Sequence, residues 1–236
     1  MLPTRGIELI LGPMGSGKTT EMLRRVRVHE VAGRTAVVVK HSIDTRYEDD
    51  LTVSGDAWKA VVTHNKEKRE ALHLPSLLPF AQTTEVDVIG IDEGQFFEDI
   101  VEGCLELVRR GKIVIVSGLD GTTKKEPFGR LLWLIPNADR VEKLRAVCIR
   151  CKQRDAPFTA KNEESTGKTV EVGGFELYSP VCRECWTEPE STKKIEVPTR
   201  DYRVTDSIVY RGCSTCNTKR ELQADIALPW RISWDD

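Results

Sequence analysis

Apolar and polar positions along this chain follow two periods. The short runs Ile7–Leu11, Thr35–Lys40, Val86–Ile91, Ile113–Gly118 and Val141–Val147 are rich in Val and Ile and too short for a core helix, so they predict buried strands. Between strands the apolar spacing lengthens. Thr19 to about Val31 places Met22, Leu23 and Val26 on one helical face, and Val101 to Arg110 does the same with Val101, Leu105 and Val108, with Gly111 just beyond as the stop. Strands alternating with helices predict an α/β domain with a mostly parallel sheet over residues 1–146. The stretch from Tyr47 to about Pro79 is more polar, contains Gly55 and two prolines, and yields no firm element. After Cys148 long apolar runs give way to cysteine pairs and glycines, which marks residues 147–186 as a small metal-organised module. From about Thr187 prolines, hydroxyl residues and charges dominate, so residues 187–236 are expected to form a partly disordered tail.

Composition narrows the function. A chain of 236 residues that is 39% hydrophobic and 31% charged can bury a substantial core, which excludes disorder of the whole. Lys and Arg number 35 against 37 acids, so no global basic surface points to nucleic acid, and a small ligand is the better expectation. The N-terminus runs straight into the first strand with no basic leader, no apolar signal region and no membrane-spanning stretch, which predicts a cytoplasmic protein. Six of the seven cysteines fall in three C-x-x-C pairs, a spacing that favours metal binding over disulfides in a reducing compartment.

Gly12-Pro13-Met14-Gly15-Ser16-Gly17-Lys18-Thr19 satisfies the phosphate-binding pattern G-x-x-x-x-G-K-[ST], between a predicted strand and a predicted helix. Glycines let successive backbone N–H groups turn inward as an anion nest, Lys18 can reach the β- and γ-phosphates, and the Thr19 hydroxyl can ligate Mg²⁺. Val86–Glu93 is an apolar strand ending in two acids. Asp92 at its carboxyl end can hold Mg²⁺ through a water, and Glu93 can either position an attacking water or take the proton of a substrate hydroxyl. Residue chemistry alone leaves both open.

Cys148 and Cys151, with Cys182 and Cys185, are two pairs of identical spacing able to converge on one tetrahedral Zn²⁺. Four thiolates close the site, so its role is structural, and the long spacer makes the ion a clamp at the base of a loop suited to serve as a lid. A third pair, Cys213 and Cys216, has no matching partner pair, and intersubunit zinc, a redox dithiol or an idle place in the tail all stay open. Cys104 lies on the apolar side of its helix and reads as a small core residue.

Taken together, the phosphate loop, Asp44-Thr45-Arg46-Tyr47, Asp92-Glu93-Gly94-Gln95-Phe96-Phe97, Leu119-Asp120-Gly121-Thr122 with Pro127-Phe128-Gly129, and the two cysteine pairs resemble the type II, cytosolic, zinc-containing thymidine kinases. The match runs from about Gly6 to Trp186. It implies a P-loop NTPase-like α/β fold, with a mostly parallel sheet, helices on both faces and a small zinc-binding lasso. It also implies transfer of a phosphoryl group from MgATP to the 5′-hydroxyl of thymidine, with Glu93 as general base and Arg46 stabilising the transferring charge. By the same resemblance Gly12, Gly15, Ser16, Gly17, Lys18, Thr19, Asp44 and Asp92 would hold ATP and Mg²⁺. Met14, Phe96, Leu119 and Phe128 would wall the thymine pocket. Tyr178 would close over the nucleoside, Thr159 with the backbone of Val172 and Gly173 would meet the base edge, and Gln95 would lie near the sugar. Similar enzymes are homotetramers, so the expected partners are ATP, thymidine and further copies of the chain, without membrane or nucleic acid. The rival reading is a phosphate-loop ATPase whose zinc module binds nucleic acid or protein.

Overall fold

The computed structural model describes residues 3–44, 58–62, 68–162, 174–175, 177–187, 211–212 and 219–220. Its centre is a seven-stranded sheet. In chain order the strands are β1 (Gly6–Leu11), β2 (Ala36–His41), β3 (Trp58–Val62), β4 (Lys68–Leu74), β5 (Val88–Asp92), β6 (Ile113–Gly118) and β7 (Arg140–Lys143), arranged β3-β4-β2-β5-β6-β1-β7. Only β3 runs antiparallel, along β4, while the other six are parallel.

Helices cover both faces, which is why the central strands read as unbroken apolar runs. Helix α1 (Lys18–Val31) lays Met22, Leu23 and Val26 on Ile10, Val38, Val88, Ile113 and Ile115. The opposite face, Ile7, Leu9, Val37, Val39, Ile89, Ile91, Val114 and Val116, is covered by α2 (Leu78–Thr83) and α3 (Ile100–Arg109). Arg25 of α1 is 5% exposed and reaches Glu8 of β1, Glu21 of α1 and Glu142 of β7 at 2.7, 2.8 and 2.6 Å, so one guanidinium ties the helix to two strands.

Three expectations are corrected. The buried face of α3 is Ile100, Gly103, Cys104 and Leu107, with Leu105 exposed, because Leu77 packs against Gly103 so closely that a Cβ there would lie 2.7 Å from the Leu77 side chain. Cys104 is fully buried, and desolvation pushes its thiol pKa well up, as a core residue requires. The polar stretch before Pro79 contributes two strands, β3 and β4, and the start of α2. The single strand expected over Val141–Val147 breaks in two. Leu144 N–H still donates to Leu11 O at 2.8 Å, after which the chain leaves the sheet to deliver Cys148.

Beyond that break β8 (Ala146–Val147) pairs with β9 (Asp155–Ala156), β10 (Phe158–Lys161) pairs with β11 (Tyr178–Val181), and α4 (Arg183–Thr187) follows. Their small core is Ala146, Cys148, Ala156, Ala160, Val181 and Cys182. Residues Met1–Ser191 form one compact unit. In the second, Thr192–Asp236, Arg211–Gly212 pairs antiparallel with Lys219–Arg220. Cys213 and Cys216 lie outside the described residues. No helix among the described residues is long and apolar enough to cross a membrane.

Candidate active site

The turn between β1 and α1 owes its shape to its glycines. Gly15 and Gly17 adopt φ of 71° and 84°, left-handed values that side-chain-bearing residues rarely take, and Gly17 forms the N-cap of α1. Inside the loop the Ser16 hydroxyl and the Lys18 ammonium both donate to Pro13 O at 2.8 Å. Lys18 is 8% exposed, so its charge sits on the loop rather than in bulk water.

One helix position on, the Thr19 hydroxyl donates to Asp92 Oδ1 at 3.0 Å, joining the loop to the end of β5. The Ser117 hydroxyl donates to the same oxygen at 2.6 Å. Burial, reinforced by the neighbouring Glu93, raises the Asp92 pKa above the usual carboxylate range, against the opposing pull of Ser117, Lys40 and Thr19. Lys40, aligned with Asp92 across the β2–β5 pair, bridges to Asp44 at 3.1 Å, and both partners are buried. Two acids thus share one buried cation at the mouth of the loop.

Glu93 sits just past the strand with φ 53° and ψ 45°, a left-handed conformation for a residue with a side chain. Such strain persists only where surroundings hold it. Gln95, 4% exposed, accepts from Leu119 N–H through Oε1 at 3.0 Å, which fixes its amide so that Nε2 donates to Glu93 Oε2 at 2.6 Å. Beside it Phe96 and Phe128 meet edge to face with centroids 5.8 Å apart.

The Sγ atoms of Cys148, Cys151, Cys182 and Cys185 all lie within 4.8 Å of one another, with Cys151 and Cys182 at 4.0 Å. Tetrahedral Zn–S bonds of about 2.3 Å place sulfurs roughly 3.8 Å apart, so the four thiols fit a closed thiolate site. Burial works against the Cys148 thiolate, but backbone N–H groups of Cys151, Cys182 and Arg150 outweigh it and hold the thiol at about 6.

The thymidine kinase family model matches residues 5–186. The chain belongs to the thymidine kinase family. It is 44% identical over 183 residues to the thymidine kinase of vaccinia virus strain Western Reserve, covering 77% of this chain and 97% of that one. Identity is 45% over 181 residues to the thymidine kinase of strain Ankara, with 76% and 96% covered. The monkeypox virus thymidine kinase is 43% identical over 183 residues, with 77% and 97% covered.

Within this thymidine kinase fold, the predicted residues Gly12, Gly15, Ser16, Gly17, Lys18, Thr19, Asp44, Asp92 and Glu93 line the exits of β1, β2 and β5, the carboxyl edge where ligands of open α/β sheets bind. Of the residues expected to wall the base, Phe96 rests on Phe128 and Leu119 N–H binds Gln95, while Met14 N–H donates to the Thr159 hydroxyl at 3.0 Å. Thr159 therefore touches the phosphate loop itself. Tyr178 is half-buried at the start of β11, paired with Lys161. Arg46, Val172 and Gly173 lie outside the described residues. Sequence reasoning missed Lys40 and Ser117. A lysine closing an apolar strand was the available signal for the first, and the second carried none.

Proposed function

We propose that the protein transfers the γ-phosphoryl group of ATP to the 5′-hydroxyl of thymidine and deoxyuridine, giving 5′-monophosphates for pyrimidine deoxynucleotide salvage. The observation that carries this reading is the carboxylate of Glu93, held by Gln95 directly after the acid that meets Thr19, with aromatic walls beside it. A hydrolase needs to seat only water there, whereas apolar walls suit a flat, neutral base.

Loop N–H groups and Lys18 bind the donor phosphates, and the family resemblance assigns Arg46 the role of stabilising the transferring charge. Thr19 and Asp92 offer the hard oxygen ligands that Mg²⁺ prefers. When bound, that ion neutralises charge on the β- and γ-phosphates. Glu93 accepts the proton of the 5′-hydroxyl as its oxygen attacks. Met14, Phe96, Leu119 and Phe128 stack around the base, Thr159, Val172 and Gly173 border its edge, and Tyr178 closes over the nucleoside. Cys148, Cys151, Cys182 and Cys185 hold structural Zn²⁺ at the base of a lasso that keeps water from the γ-phosphate. Residues 1–146 are the kinase domain and 147–186 the lasso. The enzyme acts in the cytoplasm as a homotetramer, without nucleic acid.

The test is product formation from MgATP and a panel of nucleosides, read as separated monophosphates. Hydrolysis of ATP with no monophosphate from thymidine or deoxyuridine would sink the kinase reading in favour of an ATPase.

A further inference from the structure

The segment from Leu119 to Gly129 leaves the end of β6 and returns beside it, and both of its ends rest on Gln95. Leu119 N–H binds the Gln95 side chain at 3.0 Å, and Gly129 packs so tightly on the Gln95 carbonyl that a Cβ would overlap it. Between those ends the chain folds into a hairpin. Gly121 bridges Pro127, Thr122 N–H donates to Glu126 O at 2.8 Å, and Lys125 N–H donates to Thr122 O at 2.9 Å. At the tip Lys125 takes φ 65°, a left-handed conformation unusual for a lysine.

That tip does not point into solvent alone. The Lys125 ammonium lies 3.4 Å from the centroid of the Trp186 ring and 4.3 Å from that of Phe158. Trp186 Nε1–H donates to Thr123 O at 3.1 Å, so the indole binds the hairpin both through its face and through its edge. The Arg183 guanidinium stacks on Phe158 at 4.8 Å. Both aromatic partners carry meaning by position: Trp186 follows the thiol ligand Cys185, and Phe158 precedes Thr159, whose hydroxyl receives Met14 N–H. A cation between two aromatic rings is a directional contact, strengthened where the ring shields it from water.

We propose that Lys125 is a positioning residue, clasping the hairpin that carries Leu119 and Phe128 to the four-cysteine module. The clasp sets the wall of the nucleoside pocket from outside, so the order of the metal module is transmitted to the acceptor side. This rests on the nucleoside kinase reading above. Lys125 touches no reacting atom, and its effect falls on acceptor binding rather than on the phosphate donor.

The test uses the full chain with its metal bound. Lys125→Met keeps length and removes charge, and it raises the thymidine KM about fivefold while the ATP KM moves less than about twofold, with Lys125→Arg restoring the thymidine KM because a guanidinium also stacks on indole. A thymidine KM unchanged in Lys125→Met, an equal rise for ATP, or failure of Lys125→Arg to restore it overturns the proposal. Should Lys125→Met fail to fold, Trp186→Leu removes the other half of the clasp and must give the same selective rise. The clasp is also read without turnover. Acrylamide quenching of the emission lost in Trp186→Phe must increase in Lys125→Met, and unchanged quenching refutes the clasp. An intact clasp in a protein that phosphorylates no nucleoside would instead indict the kinase reading.

Discussion

Gln95 does two jobs that a single substitution can separate. Its Oε1 accepts from Leu119 N–H at 3.0 Å and its Nε2 donates to Glu93 at 2.6 Å, inside a site where only 4% of the residue is exposed. Replacing it with Met keeps the volume and removes both bonds. Leu119 N–H then lacks its acceptor, a loss of about 1–3 kcal/mol in stability when a buried backbone donor is orphaned. Leu119 is only half-buried, so the lower end of that range applies. Glu93 loses a charge-assisted hydrogen bond while its backbone stays in a left-handed conformation, so the carboxylate samples other rotamers. If catalysis depends on its placement, Gln95→Met lowers kcat by roughly 10- to 100-fold with an unchanged ATP KM. Gln95→Glu keeps an acceptor for Leu119 N–H but sets a second carboxylate against Glu93, and kcat falls at least as far. Urea unfolding and initial rates of monophosphate formation read the two effects. Lost stability with kcat within about threefold of wild type would make Gln95 a purely structural residue. No change in either would mean that the two hydrogen bonds contribute nothing.

Glu93→Gln should lower kcat by about 10²- to 10⁴-fold while calorimetric binding of MgATP stays near wild type, and equal loss of both would assign Glu93 a structural role. Native mass measurement should find one zinc per chain, lost in Cys182→Ser. Chelation should weaken thymidine binding before ATP binding, and full activity in metal-free protein would refute the clamp. Glu21 tests the fold beneath the loop: the hydrogen bond from Arg24, opposed by burial and aided by Arg25, holds its carboxyl at about 2 against an ordinary 4.5. A lowered folded pKa means stabilisation that is fully present above the unfolded value and lost as pH falls from about 4.5 toward 2. After allowance for solvent screening it amounts to about 1 kcal/mol. Glu21→Gln should therefore lower the unfolding free energy at pH 7 and cost little near pH 2, and a penalty independent of pH would exclude the ionic cause.

What could be read from the chain follows from where each strand lies. β1, β2, β5 and β6 are central and buried on both faces, so their apolar runs announce them to within about two residues. β4 sits near the edge, fully buries only Ala71, and fills its exposed positions with charge. Its Arg69 pairs with Glu30 of α1 at 2.6 Å, a support with no local signature. On α3 only Leu105 of the expected face is exposed, while Val101 and Val108 pack half-buried at the margin of the core, because Leu77 against Gly103, a contact between elements, centres the buried face one position earlier. The break between β7 and β8 has the same origin: continuing β7 is locally allowed, but the thiol of Cys148 has to reach Cys182.

The site divides along the same line. Phosphate loop, Asp92-Glu93 and cysteine pairs are contiguous motifs, legible because their chemistry demands fixed spacing. Their connections are not contiguous. Met14 meets Thr159 across 145 positions, and Lys40 stands between Asp44 and Asp92 only because β2 lies beside β5. Gly15 shows what such a contact adds. Its φ of 71° alone asks for glycine, and the Phe175 ring asks again, since a Cβ would lie 2.6 Å from it. The metal module therefore bears on the loop at two adjacent residues, Thr159 on Met14 and Phe175 on Gly15. A lasso that moves to admit a nucleoside must change at least one of these contacts. Binding of acceptor and donor is then coupled through the loop backbone, with thymidine shifting ATP affinity and ATP shifting thymidine affinity by the same factor. Equilibrium binding of each ligand, measured with and without the other using a non-hydrolysable ATP analogue so that no turnover occurs, tests this directly. A coupling factor of one would show that the module and the loop move independently.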